Sequence, residues 1–329
     1  MQHRPSPIVR DKVSVERFFN DHNGSLGLKL VAGTSGLVRI IREPTVNRPG
    51  LALAGFKKYF AEKRVQVMGN AECHFIKSLT LDQRNQCYQV LLQQKVPCIV
   101  FCRGLRPDRT LLGLAEARGI PIFIAPQITM KFINMATLAL ETMFAPRGTE
   151  MGSMVDILGI GVIIRGESGI GKSESVLALI ERGYSLVSDD VTKVTLLDGR
   201  TIVGTSSELT RNHMEVRGIG IINVAAMFGV KSIRQEKEVN LVICLKNWND
   251  VPDVDRLGLD EKHITILGVN IPEITIPVRP GRDLARLIEV AAFQMKLRRS
   301  GYNPARELNE RLLSKMASTS STEGEIPSN

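Results

Sequence analysis

The residues with the clearest chemical purpose are Gly166, Glu167, Ser168, Gly169, Ile170, Gly171, Lys172 and Ser173. They fit the spacing G-x-x-x-x-G-K-[ST] of a phosphate-binding loop, or P-loop. Glycine reaches positive φ at no steric cost, so the backbone can turn tightly and aim its N–H groups at phosphate oxygens. In that geometry the Lys172 ammonium reaches the β- and γ-phosphates, and the Ser173 hydroxyl holds Mg²⁺. Two carboxylates follow downstream, Asp189 and Asp190. One could coordinate Mg²⁺, directly or through water, and one could accept the proton of an attacking hydroxyl. A solvated acidic turn is the plainer alternative.

The stretch Met214, Glu215, Val216, Arg217, Gly218, Ile219, Gly220, Ile221, Ile222 and Asn223 sets its charges just before two glycines. Glu215 is a candidate Mg²⁺ ligand, because Mg²⁺ takes a few carboxylates together with waters and phosphate oxygens. The same stretch also reads as a turn with a surface ion pair. His213 has no second His or Cys at metal spacing and reads as a surface histidine. Farther on, Pro277, Val278, Arg279, Pro280, Gly281 and Arg282 hold two guanidinium groups in a loop stiffened by two prolines. Planar guanidinium suits bidentate phosphate contacts, although a basic loop ahead of a helix would look the same.

Strand, loop and helix in that order would position these groups, with the anion at the helix N-terminus. Residues 161–164 are a short apolar run opened by a glycine, as in a buried strand, and 173–182 is helix-compatible with Gly183 as its stop. Residues 184–188 read as the next strand. Asp189 and Asp190 then fall at its carboxyl end, where α/β sheets gather ligands. Leu284, Leu287, Ile288, Ala291 and Met295 lie on one stripe of a helix, which is expected to face the core or another subunit.

In the first half, residues up to Val13 read as a tail. Ser14 caps a short helix through Phe19, and Asp21, His22, Asn23 and Gly24 read as a turn. Residues 97–102 suit a buried strand, 108–118 a helix stopped by Gly119, and 120–124 the next strand. That β-α-β order implies a parallel sheet with a right-handed crossover. No glycine loop for a nucleotide is visible here, so this half reads as regulatory or scaffolding. The expected fold class is α/β, with an N-terminal α/β regulatory domain at 1–128 and a connecting helix at 129–146. A P-loop kinase domain follows at 147–318, and a small, polar, disordered tail at 319–329.

Composition narrows the function classes. A chain of 329 residues with 43% hydrophobic and 23% charged residues is ordinary for a globular protein of two domains. No signal peptide opens it, and the apolar stretch at 154–164 is too short to span a bilayer and contains Asp156. No membrane role is expected. Five cysteines without a C-x-x-C pair indicate reduced thiols in a cytoplasm. The net charge of +9 comes from scattered basic residues with only 5% aromatics, which argues against nucleic acid and for phosphate-bearing ligands or an acidic protein partner.

Together the motifs resemble the HPr kinase/phosphorylase family of bacterial sugar-uptake regulation over nearly the whole chain. The resemblance runs through Asn47-Arg48-Pro49-Gly50-Leu51-Ala52-Leu53-Ala54-Gly55, the 166–173 loop, Asp189-Asp190 and 214–223. It continues through Asp255-Arg256-Leu257-Gly258, 277–282 and Gly301-Tyr302-Asn303. It implies ATP as substrate, Mg²⁺ as cofactor and a serine of the phosphocarrier protein HPr as acceptor. It also implies removal of that phosphate by inorganic phosphate, releasing pyrophosphate. The resemblance makes Asp190 the general base, Lys172 a phosphate ligand, Ser173 and Glu215 the Mg²⁺ ligands, and Arg256 a catalytic arginine. It ties 277–282 to dephosphorylation and implies a hexamer with the P-loop domains at its centre.

One position departs from the family pattern. An active-site His of a His-Gly pair precedes the loop-bearing strand in the family, and here the pair is Met151-Gly152. A thioether cannot carry a proton or donate a hydrogen bond. The kinase direction is therefore expected to survive and the phosphorylase direction to be weak. Neighbouring Glu150 is expected to be a poor substitute, because its charge would repel phosphate. The alternatives are a P-loop kinase of another substrate and a non-catalytic nucleotide-sensing regulator.

Overall fold

The computed structural model describes residues 12–93, 95–251 and 262–320. The chain divides into two compact units between Pro146 and Arg147.

The first unit is built on a five-stranded sheet in the order Lys29–Ala32, Ile122–Ile124, Ile99–Phe101, Val65–Met68, Val46–Asn47. The last four run parallel, and Lys29–Ala32 is antiparallel to its neighbour. Side chains alternate across the strands, so the two faces have separate cores. Val100 and Phe123 pack with Phe18, Phe132 and Leu140 on one face. Ile99, Phe101 and Ile122 pack with Tyr88, Leu91 and Leu111 on the other. Helices cover both faces, as a parallel sheet requires.

Two expectations change in this unit. The helix capped by Ser14 runs Val15–Leu26, straight through the expected turn at 21–24, and ends at Gly27 with φ 57°. Phe18 and Leu26 bury one face of it, which outweighs the roughly 1 kcal/mol that Gly24 costs inside a helix. The helix Thr129–Phe144, read as a connector, buries Phe132, Ala136, Leu140 and Met143 in the first unit's core, so it is a structural layer of that unit. The Asn47-Arg48-Pro49-Gly50 motif is a corner. Arg48 donates two hydrogen bonds of 3.0 Å to buried Glu72, which also accepts the Gly69 N–H at 2.9 Å.

In the second unit the strand Ile160–Gly166 lies between Ser153–Ile157, antiparallel, and Glu236–Asn247, parallel. Val269–Val278 extends the parallel set beside Glu236–Asn247. Ser185–Ser188 pairs antiparallel with Ser153–Ile157 and so points the same way as Ile160–Gly166. As a result Gly166, Ser188, Asn247 and Val278 all end on one edge of the sheet. Arg147–Met151, Val191–Leu197 and Thr201–Thr205 form an antiparallel arm joined to the first half of Glu236–Asn247.

The helices Lys172–Glu181 and Leu284–Arg299 cover one face, where Val162, Ile164, Leu241 and Ile243 meet Val176, Leu179, Ile288 and Ala292. The predicted stripe of Leu284–Arg299 therefore belongs to the core. Ile288 is fully buried and Met295 is 6% exposed, whereas Leu284 and Leu287 are half-buried. The helix Pro304–Ser320 extends two residues into the segment expected to be a disordered tail; the remainder of that segment lies outside the described residues. Among the described residues no helix is long and apolar enough to cross a membrane.

Candidate active site

The loop 166–173 starts where the strand Ile160–Gly166 ends and turns into the helix Lys172–Glu181. Its glycines have distinct reasons. Gly169 and Gly171 hold φ 83° and 99°, which side-chain-bearing residues rarely adopt. At Gly166 an added Cβ would lie 2.8 Å from Ile170 and 3.0 Å from the Leu245 carbonyl, so close approach excludes it. Ile170 packs on the core below the loop. Lys172 folds over its own loop and donates to the carbonyls of Gly166 at 2.9 Å and Glu167 at 2.8 Å. The ammonium is thus fixed at the mouth of the cradle.

A cavity of about 190 Å³ sits here, lined by Gly169, Gly171, Lys172, Ser173, Asp190, Glu215 and Arg217 among others. The Arg217 guanidinium hydrogen-bonds the Ser168 hydroxyl and closes one side. Glu215 and Arg217 arrive on a hairpin of His213–Val216 with Gly220–Asn223, in which Glu215 pairs with Ile221. The turn glycines Gly218 and Gly220 both have positive φ. Met214 and Val216 are buried and anchor the hairpin, while Ile219 and Ile221 are exposed. His213 lies outside the cavity, with Nδ1 2.8 Å from the Arg211 carbonyl.

The two aspartates do different things. Asp189 is turned inward: its Oδ1 accepts from the Ser153 hydroxyl at 2.8 Å and its Oδ2 from the Glu215 N–H at 3.0 Å. Burial pushes this carboxyl above the usual carboxylate value, with the two hydrogen bonds pulling against the rise. Asp190 is exposed to the cavity and holds φ 54°, a left-handed conformation that Asp tolerates better than most residues. Its N–H donates to Ser153 Oγ at 3.2 Å, and its carbonyl accepts the Gly152 N–H at 2.7 Å. Ser153, fully buried, therefore holds both aspartates at once. One serine in an apolar run has no spacing partner, so its sequence gives no warning of this role.

Met151 is paired with Val191 at the same edge, next to Asp190, and is 65% exposed. Glu150 points the other way, is 8% exposed, and forms an ion pair with Arg165. The expectation that its charge would repel phosphate is corrected: strand alternation buries the carboxylate and Arg165 neutralises it.

The 277–282 loop leaves the same edge of the sheet after Val269–Val278. Its next helix packs Leu284 against Gly171, 3.3 Å from where a Cβ would stand. Arg256 and its neighbours lie outside the described residues.

The donors around the cavity suit Mg²⁺, since the hydroxyl of Ser173 and the carboxylates of Asp190 and Glu215 are hard oxygen ligands. Among the described residues no group of three His, Cys, Asp or Glu side chains gathers into a cage.

Comparison with known proteins follows the same outline. The family described as HPr Serine kinase N terminus matches residues 13–140, and HPr Serine kinase C-terminal domain matches 142–312. A protein named HPr kinase/phosphorylase from Geobacter sulfurreducens is 41% identical over 304 residues, covering 92% of this chain and 95% of its own. One of the same name from Bacillus cytotoxicus is 40% identical over 308 residues, covering 94% and 97%. The solved Hpr(Ser) kinase/phosphatase from Coxiella burnetii is 35% identical, covering 49% of this chain and 98% of that one, with a TM-score of 0.45. With relatives about 40% identical along nearly its full length, the chain belongs to the HPr kinase/phosphorylase family.

Proposed function

We propose that this protein transfers the γ-phosphoryl group of ATP to a serine of HPr and, in the reverse sense, removes it with inorganic phosphate. The observation that carries this reading is the single cavity lined by Lys172, Ser173, Asp190, Glu215 and Arg217. Those groups are a phosphate cation, two oxygen ligands, a carboxylate base and a guanidinium, which is the set phosphoryl transfer uses.

In the forward direction the backbone N–H groups of 166–173 and the Lys172 ammonium hold the phosphates. Asp190 accepts the serine proton as its Oγ bonds to phosphorus, and the bond to the ADP oxygen breaks. The left-handed turn at Asp190, held by Ser153 and Gly152, keeps the base at the front of the cavity. Arg217 stabilises the charge that spreads over the transferring oxygens. Ser173 and Glu215 would hold Mg²⁺, which when bound neutralises charge on the phosphates. In reverse, Asp190 takes the proton of attacking phosphate and returns it to the departing serine oxygen, leaving pyrophosphate and HPr.

The resemblance adds Arg256 as a catalytic arginine, 277–282 as the segment serving dephosphorylation, and a hexamer; the five cysteines without a C-x-x-C pair favour a cytoplasmic setting. The test is incubation with HPr, Mg²⁺ and labelled ATP. Label on one serine of HPr supports the reading, and nucleotide binding without transfer overturns it in favour of a nucleotide sensor.

A further inference from the structure

The chain has one tryptophan, Trp248, immediately after the strand Glu236–Asn247. The last rung between that strand and Val269–Val278 joins Asn247 to Val278, so the indole and the start of the arginine loop leave the sheet side by side. The Arg279 guanidinium lies 3.2 Å from the centre of the indole, and that of Arg282 lies 5.9 Å away. Arg282 is fixed further by donating from Nη1 to the Pro277 carbonyl at 3.0 Å.

Two like charges gathered on one ring repel each other, and among the described residues no carboxylate pairs with either. The aromatic face compensates by cation–π attraction. Stacking uses only the flat face of a guanidinium. Its N–H donors lie in the plane and stay directed outward, which is the geometry that grips a phosphate group. The arginine loop leads directly into the helix whose first residue, Leu284, packs on Gly171 of the phosphate loop.

We propose that Trp248 is a positioning residue for phosphate: its ring presents Arg279, with Arg282 beside it, to a phosphate group at the edge of the cavity. The phosphate is either free inorganic phosphate or the phosphate on a serine of HPr; only the second source rests on the function proposed above. A Trp248 that merely covers the end of the sheet would have no preference for phosphate.

The test uses the indole as its own reporter, with Trp248→Phe, which contains no tryptophan, as the blank. Emission is followed while titrating inorganic phosphate in one arm and serine-phosphorylated HPr, against unphosphorylated HPr, in the other. A saturable change is expected in one arm, which names the source, and Arg279→Ala should remove it. Calorimetry should then show affinity for that ligand lowered about five- to tenfold in Trp248→Leu and kept within twofold in Trp248→Phe, whose ring still stacks. Affinity for ATP should move less than twofold in both. The proposal is overturned by no emission change in either arm. It is equally overturned if Trp248→Leu keeps normal phosphate affinity, or loses phosphate and ATP affinity alike. Failure of the wild type to phosphorylate HPr would instead overturn the proposed function, and the inorganic phosphate arm would still decide the role of Trp248.

Discussion

Asp190 combines an exposed carboxylate with a left-handed backbone; asparagine removes the carboxylate but tolerates that conformation equally well. Asp190→Asn should therefore fold and bind ATP normally while its transfer rate falls by about 10²–10⁴, as loss of a general base predicts. Steady-state kinetics with HPr and a thermal melt measure the two halves of that statement. Met151 stands beside Asp190 and is exposed to the same edge. An imidazole there could donate a hydrogen bond to incoming phosphate or, when protonated, offset its charge. Pyrophosphate release from serine-phosphorylated HPr should be slow in the wild type and faster in Met151→His. Strong release by the wild type would mean that residue 151 is dispensable. Lys172 and Ser173 were legible in the sequence because the chemistry demands a fixed spacing. Ser153 was not, because its importance comes from two partners at 189 and 190 that only folding brings to it.

At the scale of elements, the helix that follows the phosphate loop is tied to Leu284–Arg299 by a polar cluster. Glu289 accepts hydrogen bonds from the Tyr184 hydroxyl at 2.5 Å, Arg286 at 3.0 Å and Arg182 at 3.2 Å. The Tyr184 bond, helped by the two arginines and opposed by burial, holds the Glu289 carboxyl below its ordinary 4.5. A carboxylate depressed in the folded state stabilises fully above its unfolded value, and that stabilisation is lost as pH falls through the folded value. Glu289→Gln should lower Tm at pH 7 by about 3 °C or more. The gap from wild type should close below pH 4.5, and a gap that widened there would mean that the ionised Glu289 does not stabilise the fold. Most elements were legible from apolar periodicity, as in the alternation of Ile99, Val100 and Phe101 between two cores. The turn expected at 21–24 failed because turn-forming residue types were carried through by the buried face of their helix.

At the scale of the molecule, the family resemblance implies a hexamer, but the stripe expected to help build it is buried at Ile288, Ala291 and Met295. That sequence pattern could not separate a core face from an interface face, since both ask for the same apolar period. Light scattering at micromolar concentration should give the mass of six chains, and a monomer would count against that assembly. Every residue role proposed above serves phosphoryl transfer to HPr through the cavity at 166–173. Its most direct test compares wild type and Lys172→Ala for transfer of labelled γ-phosphate from ATP to HPr, with the modified residue mapped. Label is expected on one serine with the wild type and none with a folded Lys172→Ala protein. Undiminished transfer by Lys172→Ala, or no transfer by a wild type that binds ATP, would contradict it.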